Sequence, residues 1–126
     1  MTQALHSSSM PDGSYGGEPA GFVLHLGSGD SIKRIYFACD TGLFSDMQLI
    51  GQQGIDVAIL PIGDLFTMGP AASVEAVKLI QPNVVLPAHY NTWPPIEQNA
   101  GEWAESVKSE TGKTAVVLQP GETHTV

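Results

Sequence analysis

Three residues with metal-binding side chains, His6, Asp40 and His89, each stand directly after an apolar segment. Imidazole nitrogen and carboxylate oxygen both serve as ligands of zinc, manganese and iron. The two oxygens of an aspartate can each contact one of two neighbouring ions. Ligands this far apart in the chain can meet only if a sheet aligns the ends of their strands. The spacing therefore predicts a metal site at one edge of a sheet.

Each of the three residues also has a simpler explanation. His89 could be a solvated or hydrogen-bonded loop residue, and Asp40 could cap the Asp-Thr-Gly turn that it begins. His6 lies near the terminus, where chains often fray. No compact pair such as His-x-His accompanies them, and a site for two metal ions needs several more donors. The spacing alone leaves metal binding open.

Apolar runs and chain breakers predict the elements that would position these side chains. Strands are expected at 2–6, 21–26, 32–39, 55–61, 84–87 and 114–118. Helices are expected from Asp46 to Gln52 with Ser45 as N-cap, from Pro70 onward, and from Asn99 to about Thr111. This alternation predicts an α/β fold, or α+β in some schemes, in which the candidate ligands follow strands.

Two neighbours of the candidate ligands are expected to have other roles. Cys39 precedes Asp40 on a predicted strand, so side-chain alternation places it on the opposite side as a small buried residue. The irregular segment 63–69 is expected to shape a pocket wall, with Asp64 as an acceptor for hydrogen bonds from the ligands.

Composition narrows the class of protein and its partners. The 126 residues suit one domain, and a net charge of −8 with five Lys and Arg argues against nucleic acid and anionic membranes. One cysteine cannot form an internal disulfide. The N-terminus has no secretory signal pattern, and no apolar run reaches the roughly 20 residues of a membrane span. We therefore expect a cytoplasmic protein.

Four long motifs resemble one family. They are HSSSMPDGSYGG at 6–17, DTGLFSDM at 40–47, LPIGDLFTMGP at 60–70 and PAHYNTWP at 87–94. In this order, and over nearly the whole chain, they resemble metal-dependent hydrolases of the metallo-β-lactamase superfamily that are related to the ascorbate-phosphate lactonases.

The resemblance implies an αββα sandwich with the metal ions at one edge. It assigns His6, Asp40 and His89 as metal ligands, with Asp40 bridging two ions and orienting the catalytic hydroxide. The cofactors implied are two divalent metal ions, with zinc as first choice and manganese or iron as alternatives. A metal-bound hydroxide would attack an ester, lactone or phosphoester of a small-molecule substrate. The family is expected to have glycine where this chain has Cys39.

One motif of that family, His-x-His-x-Asp-His, belongs well before His6 and does not occur in this chain. Residues 1–126 are therefore expected to form the C-terminal βα half of the sandwich. A missing N-terminal half, a partner chain or a second copy would cover the apolar face of its sheet. Two other hypotheses stay open: a non-catalytic half-domain that binds a partner or itself through this face, and a single-metal protein using His6 and His89.

Overall fold

A mixed six-stranded sheet forms the framework of the chain, and the computed structural model describes all 126 residues. The strands are β1 (Thr2–Gln3), β2 (Ala20–Leu26), β3 (Lys33–Phe37), β4 (Val57–Pro61), β5 (Val84–Ala88) and β6 (Thr114–Ala115). The α-helices are α1 (Met47–Gly51), α2 (Pro70–Ile80) and α3 (Ala100–Thr111). The order of the strands in the sheet is their order in the chain.

The type of strand pairing changes once across the sheet, at β3. Strands β1, β2 and β3 are antiparallel neighbours, whereas β3, β4, β5 and β6 run parallel. Parallel neighbours need a crossover connection, and α1, α2 and α3 provide one each. The carboxyl ends of β3, β4 and β5 therefore lie together, at what we call the carboxyl edge of the sheet.

The three helices pack against one face of the sheet. Tyr36, Ala58, Leu60 and Val85 point to this face and are completely buried. Together with apolar residues of all three helices, including the buried Trp103, they form the hydrophobic core. Alternation along the strands explains why every second residue enters this core.

The opposite face of the sheet is not covered by a helix. Its central and outer strands present large apolar side chains, which we call the open face: Phe22, Leu24, Leu26, Phe37, Ile59 and Leu86. The first four are 40–52% exposed. Phe22 lies opposite Phe37 in the ladder of β2 and β3. The sheet thus has one helix-covered face and one apolar face open to solvent.

Three predicted details of the elements are wrong. The first strand is shorter than the predicted 2–6, because β1 ends at Gln3, three residues before His6. Ser45 does not cap α1, because Asp46 already has helical angles (φ −72°, ψ −1°) at the cap position and no side chain there caps the helix. The last strand is shorter than predicted: β6 contains two residues, after which the Val116 amide makes one more bond to the Val85 carbonyl (2.9 Å).

The predicted start of the third helix is confirmed. Asn99 is the N-cap of α3, and its Oδ1 accepts hydrogen bonds from the amides of Gly101 (3.1 Å) and Glu102 (3.2 Å). Glu102 accepts a further hydrogen bond from Nδ2 of Asn99 (2.8 Å).

None of the helices has the length and apolar character that crossing a bilayer requires.

Candidate metal centre

Asp40 and His89 face each other at the carboxyl edge. Asp40 follows β3 and His89 follows β5 directly, and Oδ2 of the first lies 3.7 Å from Nε2 of the second. This distance exceeds a hydrogen bond but is close to the roughly 3.4 Å between two ligands of one tetrahedral zinc ion. The side chains are 51% and 30% exposed, respectively. The pair therefore fits two ligands of one metal ion.

The imidazole of His89 presents only one nitrogen to the site. Its Nδ1 is buried without a hydrogen-bond partner and lies against Gly63. A metal-binding histidine usually donates its second N–H to a carboxylate, a carbonyl or water. Here close packing against Gly63 holds the ring, which leaves Nε2 as the nitrogen available to a metal ion.

Unusual backbone angles are concentrated in the loops that follow β3, β4 and β5. Six residues other than glycine have positive φ: Cys39, Asp64, Leu65, Gln81, His89 and Asn91. Gln81 ends α2, and the other five lie in these three loops. Such angles cost about 1–3 kcal/mol per residue and persist where the surrounding structure imposes them, commonly at functional sites.

The prediction that Cys39 faces away from Asp40 is wrong. Both residues line a cleft of about 210 Å³ together with His89, Phe37 and Ile59. Strand β3 ends at Phe37, and the left-handed conformation of Cys39 (φ 56°) interrupts the alternation on which the prediction depended. This conformation also explains why glycine would suit the position. Burial, with a smaller contribution from the Asp40 charge, raises the pKa of the Cys39 thiol.

His6 lies beside this pair in the fold without joining it. The amide of Leu5 donates to Thr41 Oγ1 (2.8 Å), and the amide of Gly42 donates to the Leu5 carbonyl (2.9 Å). These bonds hold the segment of His6 against the loop that begins at Asp40. No three His, Cys, Asp or Glu side chains converge closely enough to hold an ion. The assignment of all three residues as ligands stays a prediction.

No individual role was given in the sequence analysis to three residues at this edge, which are Gly63, Phe66 and Trp93. Gly63 supports the His89 ring, and its lack of a side chain is explained only by that tertiary contact. Phe66 and Trp93 stack with ring centroids 6.1 Å apart and planes at 12°.

Asp64 was expected to accept hydrogen bonds from the metal ligands. Its carboxylate instead lies beside Gly69, the N-cap of α2, where the helix dipole favours negative charge.

Comparison with known proteins identifies the family. Residues 1–90 match the family model described as the β-lactamase superfamily domain. The chain belongs to the β-lactamase superfamily. A UPF0173 metal-dependent hydrolase of Thermus thermophilus is 54% identical over 119 residues, which cover 94% of this chain and 51% of the relative. One from Desulforamulus reducens is 50% identical, covering 97% of this chain and 54% of the relative.

Solved structures of the superfamily confirm the fold prediction. Igni18, a metallo hydrolase from Ignicoccus hospitalis, superimposes with a TM-score of 0.80 at 41% identity, covering 94% of this chain and 48% of that one. The metallo-β-lactamase fold protein YhfI of Bacillus subtilis is only 11% identical and shares the fold (TM-score 0.64, covering 95% and 46%). The chain spans about half the length of the curated relatives it matches. That it is the C-terminal half stays a prediction.

Proposed function

We propose that this chain contributes Asp40, His89 and His6 to the active site of a metal-dependent hydrolase. The observation that carries the proposal is the approach of Asp40 Oδ2 to His89 Nε2, at 3.7 Å, from the ends of two parallel strands. Relatives of 54% and 50% identity are named metal-dependent hydrolases, which supports the same activity. The ions are divalent, with zinc as first choice and manganese or iron as alternatives that suit the same donors.

The chemistry divides between the ions and the side chains. When bound, two divalent ions would supply Lewis acidity for activating water and polarising an ester, lactone or phosphoester. The half-exposed Asp40 carboxylate can accept a hydrogen bond from the attacking water and so orient it, which is its catalytic role. His89 is fixed by Gly63 with Nε2 directed at Asp40. The substrate is a small molecule that enters from the carboxyl edge.

Further ligands must complete such a site. Two facing donors are fewer than the three protein ligands of a typical catalytic zinc ion. His6, tethered next to Asp40 through Leu5, is the third donor that we assign from this chain. We assign the remaining donors to the part of the longer relatives that this chain does not cover.

Zinc titration by calorimetry tests the proposal directly. We expect the chain to bind zinc, and Asp40→Asn or His89→Gln to weaken binding at least about tenfold, because each removes a ligand. His6→Gln tests the third ligand in the same way. His25→Gln is the matched control, since His25 is exposed on β2, away from the pair. Equal affinity in wild type, Asp40→Asn and His89→Gln would refute the metal centre.

A second candidate function, self-association through the open face, is favoured by a separate observation. Phe22, Leu24, Leu26 and Phe37 are each at least 40% exposed on one continuous surface. Apolar patches of this kind usually mark interaction sites. We expect sedimentation to show a dimer that Leu24→Lys dissociates. Leu49→Lys is the control because Leu49 is equally apolar and 52% exposed, but lies on α1. A monomeric wild type would exclude this function.

A further inference from the structure

An exposed aromatic pair stands in the loops that form the candidate metal centre. Phe66 lies between β4 and α2, and Trp93 lies between β5 and α3. They are 56% and 47% exposed, and their rings stack nearly parallel. Together they present a flat apolar surface to solvent, formed by two loops instead of one.

Hydrogen bonds connect these loops to each other and to the loop of Asp40. Gln98 Nε2 donates to the Gly63 carbonyl (3.3 Å), which joins the loop of Trp93 to the loop of Phe66. The Met68 amide donates to the Thr41 carbonyl (3.0 Å), which joins the loop of Phe66 to the residue after Asp40. The aromatic pair and the Asp40–His89 pair thus belong to one connected assembly of loops.

The positive charges of this chain lie at the other end of the sheet. Lys33 and Arg34 begin β3, and Lys113 precedes β6. Lys78 and Lys108 are in the last turns of α2 and α3, which run back from the carboxyl edge. These are all five cationic side chains of the chain. None of them can pair with a negative group of a ligand bound at the carboxyl edge.

We propose that the Phe66–Trp93 pair binds the non-reacting part of the substrate, and that this part is planar, apolar and without negative charge. The inference deepens the proposed function and rests on it for the location of the reacting group. Two stacked rings offer a face on which a third ring can pack by offset stacking. An anionic group would meet no cation of this chain there, only the carboxylates of Asp40 and Asp64.

Equilibrium dialysis with two naphthalene probes tests the inference in metal-free buffer at pH 7. The probes are 2-naphthol, which is neutral, and 2-naphthalenesulfonate, which has the same ring with a negative charge. We expect 2-naphthol to bind and the sulfonate to bind at least about tenfold more weakly. Phe66→Ala and Trp93→Ala should each weaken 2-naphthol binding roughly fivefold, and Trp93→Phe should retain most of it.

The control variant Leu26→Ala distinguishes binding at the Phe66–Trp93 pair from binding at the open face. Leu26→Ala removes a 52% exposed side chain of the open face, next to Lys33 at the far end of the sheet, and should not change binding. Equal binding of the two probes, absence of naphthol binding, or an equal loss in Leu26→Ala would overturn the inference. Because the probes need no metal, the result is independent of the zinc titration. The experiments can therefore show the failure of the metal centre and the failure of the Phe66–Trp93 binding surface independently of each other.

Discussion

The α-carbon of Gly63 lies so close to His89 that a β-carbon there would stand 2.1 Å from the His89 carbonyl oxygen and 3.1 Å from Nδ1. The carbonyl is backbone and cannot turn aside, so any side chain at this position displaces the end of β5 or the loop that follows it. The contact joins the loop after β4 to the candidate metal ligand at the end of β5.

Gly63→Ala should therefore damage stability and metal binding together. We expect the free energy of unfolding to fall by about 2–3 kcal/mol, the cost of overpacking at a rigid contact. Urea unfolding measures the change in stability, and zinc titration of the folded fraction measures the change in metal binding. Gly42→Ala is the matched control, because its β-carbon would meet only ordinary contacts at 3.7 Å from Leu5. Equal stability of the two variants would contradict this account.

Tyr36 should make the protein less stable at alkaline pH. Its side chain is completely buried, and burial raises the pKa of its hydroxyl to about 12, with a smaller opposing influence from the nearby Thr2. In the unfolded chain the pKa is about 10. Between these values the unfolded state releases a proton that the folded state keeps, so the free energy of unfolding falls as pH rises.

Urea unfolding of wild type and Tyr36→Phe across pH 8 to 11 measures this effect. We expect wild type to lose about 1.4 kcal/mol more than the variant by pH 11, since each pKa unit corresponds to about that free energy. The variant corrects for every other group that titrates in the same range. Parallel pH profiles for the two proteins would show that Tyr36 ionises normally.

Asn99→Ala should shorten or destabilise α3. The substitution leaves the amides of Gly101 and Glu102 without the oxygen that now accepts their hydrogen bonds. Loss of such a cap costs about 1 kcal/mol. Asn99→Ser preserves an acceptor oxygen without placing a second carboxylate beside Glu102, and it should retain most of the stability, as measured by thermal or urea unfolding. If serine is as damaging as alanine, the cap is not the source of the loss.

Ser73→Ala should stabilise the protein. Ser73 is completely buried in α2, and its hydroxyl has no hydrogen-bond partner. Alanine removes the unpaired polar group and has the higher helix propensity, which together should add about 1 kcal/mol to the free energy of unfolding. Ser106→Ala on α3 is the control, because it makes the same change in helix propensity but loses the hydrogen bond from the Ser106 hydroxyl to the Glu102 carbonyl (3.0 Å). A smaller gain for Ser73 than for Ser106 would refute the explanation.

Local patterns predicted the features that depend on neighbours in the chain. The strand positions follow from apolar runs, and the cap of α3 follows from the Asn99 and Glu102 spacing. The approach of Asp40 to His89 was also predictable, because parallel strands end at one edge of a sheet. In each case the residues themselves, or a regular element, determine the geometry.

Features that depend on irregular backbone or distant contacts were not predictable. The left-handed conformation of Cys39 reverses the expected direction of its side chain, and nothing in the residue type indicates it. Gly63 needs the position of His89 to explain it, and the stacking of Phe66 on Trp93 joins loops 27 positions apart in sequence. A single sequence carries no direct signal of such contacts.

The agreement between strand order and chain order has a consequence for how this protein is made. Every strand pairs only with the strands immediately before and after it, so no strand has to insert between two that are already joined. Each new strand can therefore add to the growing edge of the sheet soon after it leaves the ribosome. The loop that closes each pairing spans at most about 30 residues, and the entropy cost of closing a loop grows only slowly with such lengths.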